Sequence, residues 1–375
     1  MFERIKQMLI KEFIQVFRDP RMRMVIFVIP CVQVIVIGYA VSTDVKHVRT
    51  ALFDQDNSQA SREVVASFVQ SGYFDVVERI GTDAEATALL DRGTVSAVLH
   101  VIHGFADDLN AGRTARLQVL IDGTDSNTAN IVLSYAVKIA TAYSENILVE
   151  RYQRRMGAII LPGRPKLQTR AWFNENLESR NFFVPGVLVI VVSVVTMLLT
   201  SMAVVREREI GTMEQIMVTP ITPAEFILGK TMPFTVIGFI DVALVTLIGG
   251  FWFEVPIRGN LALLFFATGL YLMTMLGIGL FISTVSQTQQ QAMISTFFFF
   301  FPAMLLSGFA FPIANMPEPV QWLTLFNPLR YYLVIVRAIF LKGVGMDILW
   351  PQMLALAVMG VLMLSLASKR FHKTL

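Results

Sequence analysis

Uncharged apolar runs recur along this chain at lengths that suit membrane crossing. Between Arg258 and Glu318 stand 59 consecutive residues without a formal charge, broken only by the polar run Ser286-Gln287-Thr288-Gln289-Gln290-Gln291. A bilayer core needs about 20 apolar residues per helix. The stretch therefore predicts two crossings, Leu261–Val285 and Met293–Phe311, with the glutamine-rich run as their hairpin. Further runs cover Met24–Val41, Phe182–Val205, Met232–Phe253 with one acid inside it, and Ile348–Ser368. Together they predict a polytopic α-helical membrane protein with six transmembrane helices.

Between the first two runs the pattern changes. Short β-branched segments alternate with amphipathic ones, which predicts strands at Val48–Phe53, Phe74–Arg79, Val95–Val101 and Arg116–Ile121. Helices are expected at Gln59–Ser71, Asp83–Arg92 and Phe105–Ala111, followed by a long one over Asn127–Met156. Such alternation argues for a small α/β domain with a parallel or mixed sheet, inserted between transmembrane helices 1 and 2. Pro162, Gly163 and Pro165 mark a linker after it. The expected organisation is an amphipathic segment at 1–23, a first span at 24–42, and the α/β domain at 43–181. A transmembrane domain at 182–368 and a tail at 369–375 complete it.

Composition agrees with a membrane solvent: 54% of residues are hydrophobic and only 16% charged, where soluble domains are about one quarter charged. The net charge of +3 is too small to call for a nucleic-acid partner. Its distribution says more. Arg4, Lys6, Lys11, Arg18, Arg21 and Arg23 precede the first run, and Lys369, Arg370 and Lys373 follow the last. The positive-inside rule then puts both termini in the cytoplasm and residues 43–181 outside, in the periplasm of a bacterial inner membrane. The first run follows 23 amphipathic residues and exceeds the usual length of a signal-peptide core, so it reads as a retained anchor. Cys31 is the only cysteine, which excludes an intrachain disulfide.

Chemistry concentrates on the predicted cytoplasmic side. Ile5, Met8, Leu9, Phe13, Val16 and Phe17 fall at helical spacing, as in a helix lying in the headgroup plane among membrane lipids, and Asp19-Pro20 ends the pattern. The loop Arg206-Glu207-Arg208-Glu209-Ile210-Gly211-Thr212-Met213-Glu214-Gln215-Ile216 alternates charge and carries a narrow apolar stripe. It reads either as a short helix docking into a groove of a soluble partner or as a solvated loop with internal ion pairs. Thr222-Pro223-Ala224-Glu225 is a capping box with proline at the first helical position.

Other constellations carry less. Gly229-Lys230-Thr231 resembles the end of a P-loop, but Ala224 occupies the place of the required glycine and no strand precedes it, so ATP must be handled by another polypeptide. His100 and His103 stand three apart along a strand, on opposite faces, which argues against a metal pair. Asp54, Asp56 and Ser58 echo a calcium loop without its glycine, and are better suited to a helix-capping turn. No nucleophile–base spacing supports an enzyme. Asp241 is the one acid deep in an apolar run; it is suited to a cationic substrate, a proton relay or a hydrogen bond between helices. The phenylalanine run Phe297–Phe301 faces lipid or neighbouring helices on the simplest reading.

Several segments together resemble the ABC type-2 exporter permeases. They are Arg206–Ile216, Thr219–Glu225, Leu228-Gly229-Lys230, and the closing set Pro312, Met316-Pro317, Asn327-Pro328, Tyr331, Arg337 and Lys342-Gly343. Lys11-Glu12 and Arg18-Asp19-Pro20 match that family's N-terminal connecting helix, and the resemblance covers the whole chain. It implies a second permease, as homodimer or sister subunit, and separate ATP-binding subunits that hold ATP and Mg. It also implies export of small amphiphilic molecules or drugs from the cytoplasm or inner leaflet. Residues 206–217 become the coupling helix, with Arg206, Glu207, Arg208, Glu209, Gly211, Thr212 and Glu214 facing the ATPase, and 312–347 an external re-entrant segment. The same resemblance places Phe297, Phe298 and Phe301 along the path; it does not single out Asp241, which is a path candidate only as an acid at membrane depth, and a periplasmic adaptor protein is expected from the family alone. An ion-coupled secondary transporter and an envelope receptor or scaffold are the competing classes. The first wants more polar groups at membrane depth, the second fewer crossings.

Overall fold

The computed structural model describes residues 2–40, 45, 47–156, 172–174, 178–212 and 222–373. The chain divides into a helical unit, Met1–Ser42 with Arg170–Leu375, and an α/β unit, Thr43–Thr169. The predicted linker residues 162–165 lie outside the described residues.

Strands β1 (Val48–Asp54), β2 (Phe74–Arg79), β3 (Ala97–Val101) and β4 (Leu117–Ile121) form one mixed sheet in the order β2-β1-β3-β4. β1 runs parallel to both β2 and β3, and β4 is antiparallel to β3. Alternation along the strands sends Val48, Leu52, Leu99 and Val101 to one face and Ala51, Phe53 and Val98 to the other. The first face is covered by helices Gln59–Gln70 and Ser126–Met156, through Val64, Phe68, Val132 and Ala136. The second is covered by helix Asp83–Asp91, through Ala86. Each element lies within two residues of its predicted bounds. The Asp54–Ser58 turn caps a helix: Ser58 Oγ accepts from the Ser61 amide at 3.0 Å, and Asp56 Oδ2 accepts from the Ala106 amide at 3.1 Å. Burial opposes ionisation of Asp56, but hydrogen bonds from the Ser58 hydroxyl and the 104–106 amides hold its carboxyl below the usual range.

In the helical unit, α1 (Phe2–Arg18) leads through a short helix and a π-helical turn into α2 (Ile29–Ala40). α3 (Ser179–Ile210), α4 (Pro223–Phe251), α5 (Leu261–Val285), α6 (Gln289–Leu305) and α7 (Met346–Lys373) follow. Ser179–Ile210, Glu225–Phe251, Leu261–Val285 and Met346–Arg370 are long and apolar enough to cross a membrane. The predicted first and fifth spans appear as shorter helices, Met24–Tyr39 and Gln289–Leu305. α3 is the hub, packing against α2, α4, α5 and α6. Helix contact at this density needs small residues: a Cβ on Gly277 of α5 would lie 3.0 Å from the Leu364 backbone nitrogen of α7.

The predicted re-entrant segment consists of Glu318–Phe326 and Pro328–Lys342, two helical pieces bent by 84°. Asn327 makes the bend: its Oδ1 caps the second piece through the Leu329 amide at 3.1 Å, and its Nδ2 donates to Ala303 O at 2.6 Å. Proline at the next position cannot donate and starts the helix with a preset φ. Arg337 ties the segment to α3 and to the turn after α6. Its guanidinium sits 3.5 Å from the Phe182 ring centroid and donates to Gly308 O at 3.2 Å.

Two sequence expectations change here. Arg206–Ile210 is not the start of a separate short helix; it continues α3, which ends only at Gly211. Gly211 holds φ at +81° in the left-handed region, and its amide returns to Arg208 O at 3.2 Å, an ending that glycine makes at little steric cost. The predicted glutamine hairpin also shrinks. Gln289–Gln291 already belong to α6, because Thr288 Oγ1 accepts from the Gln291 amide at 3.2 Å and caps it.

Candidate functional site

The beginning of α4, the end of α3 and the middle of α1 meet at one end of the helical unit. α4 begins as a capping box: Thr222 Oγ1 accepts from the Glu225 amide at 3.3 Å, and Glu225 Oε2 accepts from the Thr222 amide at 2.8 Å. That fixed start points Lys230 into the junction. α1 approaches closely because residue 229 is glycine; a Cβ there would lie 2.5 Å from Met8 Sδ. Glu12 and Val16 follow Met8 at steps of four along the same face, and both are buried.

Lys230 Nζ lies 2.7 Å from Glu12 Oε1 and 2.7 Å from Glu207 Oε1. Lys11 Nζ reaches the same Glu207 oxygen at 3.3 Å. The side chains of Lys230, Glu12 and Glu207 keep at most 5% of their accessibility, whereas that of Lys11 is 52% exposed. Two carboxylates against two ammonium groups leave the cluster neutral, which is what makes its burial tolerable. The second Glu207 oxygen accepts from the Thr212 hydroxyl, which lies just past the Gly211 break. One buried carboxylate thus joins α1, α3, α4 and the first residues of the segment that leaves α3.

The neighbouring charges reach the other way. Arg208 Nη1 donates to Ser286 O, the end of α5, at 3.2 Å. Glu209 Oε2 accepts from Gln289 Nε2 at 2.7 Å and from the Gln289 amide at 3.3 Å, so it supports the exposed amide end of α6. Arg206 flanks a small cleft with Glu12, Lys230 and Gln289. Of the predicted coupling residues, Arg206, Glu207, Arg208, Glu209, Gly211 and Thr212 are thus gathered at one end. Met213, Glu214, Gln215 and Ile216 lie outside the described residues.

The residues assigned to a path differ in exposure. Asp241 on α4 is fully buried, and neither carboxylate oxygen has a hydrogen-bond partner among the described residues. The helix-to-helix hydrogen bond expected for it is therefore not formed there. Phe298 is 83% exposed and Phe301 54%, while Phe300 is buried; Phe297 and Phe301 lie 6.0 Å apart, centroid to centroid. Among the described residues no three His, Cys, Asp or Glu side chains gather as a metal site. His100 is buried in the α/β unit, stacked on Phe53.

Sequence reasoning missed Glu12 and Lys230 as site residues. The available signal was cost: a lysine eight residues into an apolar helix must find acid partners. Which acids, from segments so distant in the chain, no spacing could say.

The arrangement pairs a charged helix end with an N-terminal amphipathic helix, and comparison with known proteins identifies the setting. Residues 20–369 match the family described as ABC-2 family transporter protein. The chain belongs to that family. It is similar to the Escherichia coli (strain K12) protein named "Probable multidrug ABC transporter permease YbhR", with 32% identity over 96% of this chain and 95% of that protein. The "Probable multidrug ABC transporter permease YbhS" of the same organism is 32% identical over 91% of this chain and 89% of its own length. The "Inner membrane transport permease YhhJ" is 32% identical over 87% and 85%. The ABC-2 match spans both units, so the α/β insertion is part of the shared pattern.

Proposed function

We propose that this ABC-2 protein is the membrane-spanning permease subunit of an ATP-driven exporter of small amphiphilic molecules or drugs. The observation that carries the reading is the buried Glu12–Lys230–Glu207 junction, which binds three helices to the charged segment leaving α3. Support comes from relatives named as multidrug ABC permeases along nearly their whole length.

In this reading the chain crosses the inner membrane six times, with helices 24–42 and 293–311 as the short crossings. Both termini and residues 206–217 lie in the cytoplasm, and residues 43–181 in the periplasm. ATP and Mg are bound by a separate ATPase, and a second permease completes the path between them. Closure of the ATPase pushes on the segment after Gly211. Thr212 and Glu207 pass the push to Lys230 and Glu12, so that α1, α3 and α4 move as one body. α3 carries the displacement across the bilayer: its 32 residues span about 48 Å at the α-helical rise. At its far end Phe182 meets Arg337 and the bent segment. Phe297, Phe298 and Phe301 border the path where the two permeases face each other, and a periplasmic adaptor and lipids are further partners.

Co-purification with an ATP-binding-cassette ATPase co-expressed with it, and ATPase stimulation across a compound panel, test this reading. The expected result is ATP hydrolysis that rises with transported amphiphiles and needs both polypeptides. Transport by the purified chain without any ATPase would overturn it.

A further inference from the structure

A cleft of about 470 Å³ opens wholly inside the α/β unit, between the helix Phe105–Asn110, strand β4 and the second half of the helix Ser126–Met156. That volume falls within the usual ~300–1,000 Å³ of small-molecule sites. Its walls mix apolar side chains, Val64, Phe105, Leu109, Leu117 and Ile147 among them, with the polar Thr114, Tyr143 and Ser144. Among the described residues, the charged ones that line it are two arginines, Arg113 and Arg151. Arg113 is already matched, with Nε 2.8 Å from Asp108 Oδ1. Arg151 is not: its partner among the described residues is a neutral carbonyl, Leu109 O. A guanidinium has five N–H donors in a planar fork, so Arg151 keeps donors for an anionic group. Glu63 and Glu150 act on the Tyr143 hydroxyl but do not line the cleft.

From this geometry we propose that the α/β unit binds an anionic amphiphile, with its carboxylate or phosphate headgroup on Arg151 and its hydrocarbon body against Val64, Leu109 and Ile147. Charge complementarity selects the class: one unmatched cation beside a group of apolar side chains suits one anionic head on an apolar tail. A neutral amphiphile leaves the guanidinium without its bidentate partner, and a polar anion leaves the walls unfilled. The site lies inside one unit, so it stands or falls independently of the exporter reading.

The test uses the full chain in nanodiscs of neutral phosphatidylcholine, labelled with a diazirine-bearing palmitic acid and mapped by mass spectrometry. Labelling is expected in peptides covering residues 105–117 and 140–151, with lysophosphatidic acid and unlabelled palmitate both competing. Competition by only one of them identifies the headgroup. Arg151→Gln should reduce labelling about ten-fold, as loss of a charge-assisted pair does. Leu148→Glu, at a wall position that is 43% exposed and so tolerant of substitution, should reduce it while the circular dichroism spectrum is unchanged. The palmityl alcohol counterpart should label these peptides weakly. Equal labelling of wild type and Arg151→Gln, or labelling confined to the membrane helices, would overturn the proposal.

Discussion

Glu12 and Glu207 come from helices far apart in the chain, yet they share one ammonium group: Lys230 Nζ stands 2.7 Å from a carboxylate oxygen of each. A buried ammonium in an apolar helix is tolerable only with acid partners, and here two acids supply them. Removing one partner strands the others, which commonly costs about 3–5 kcal/mol, whereas replacing all of them by apolar groups can be neutral. Lys230→Met should therefore lower the thermal unfolding temperature in detergent, and adding Glu12→Met with Glu207→Met should restore much of it. If the triple variant recovers stability but not drug-stimulated ATP hydrolysis, the charges serve coupling and not only folding.

The approach of α1 to α4 can be locked. A Cβ at position 229 would lie 3.3 Å from Met8 Cβ, near the ~3.5–4.5 Å that a disulfide spans. With Cys31 replaced by serine, the pair Met8→Cys and Gly229→Cys should cross-link under mild oxidant, read as a mobility shift reversed by reductant. Absence of the cross-link would mean that α1 packs elsewhere.

Glu209 supports the start of α6 through Gln289 from an exposed position. Surface changes of this kind usually cost within about 0.5 kcal/mol. Glu209→Lys should leave the melting temperature near wild type while substrate-stimulated ATP hydrolysis falls; Glu214→Lys should behave alike. Normal export by both variants, with the ATPase still bound, would contradict the coupling role.

Asp241 is a buried acid whose oxygens find no hydrogen-bond partner among the described residues. A protein retains such a group at a cost when function needs it. Asp241→Leu should raise the unfolding temperature and lower transport. Full transport by Asp241→Asn would remove the carboxylate from the mechanism.

The α/β unit should loosen in acid at one identifiable place. The Asp56 carboxyl is held low by the Ser58 hydroxyl and by amides at the start of the helix Phe105–Asn110. A depressed folded value means that its stabilisation is complete above the unfolded value of about 3.9 and is lost as pH falls through the folded one. Hydrogen-exchange protection at Ala106, corrected for intrinsic rate, should therefore fall in that acidic window. In Asp56→Asn it should start lower and stay flat.

Much of the fold was legible along the chain. The strands of the α/β unit alternate with period two, and Ser58 and Thr222 announce helix starts that the structure forms within a residue. Two boundaries misled. Arg206–Ile210 is charged enough to pass for a loop helix, yet it extends α3, because backbone hydrogen bonding continues until a residue can turn left-handed, and that residue is Gly211. Gln289–Gln291 are polar enough to pass for a turn, yet Thr288 caps them into α6.

The sequence by itself determined the apolar runs, the inserted α/β unit and the family, since each depends on order along the chain: run length, alternation, and motifs in series. Tertiary structure alone decided which charges meet. Glu12, Glu207 and Lys230 obey no shared spacing. Their partnership exists because Gly229 lets α1 approach α4, and because a buried ammonium is stable only where opposite charge has been brought to it.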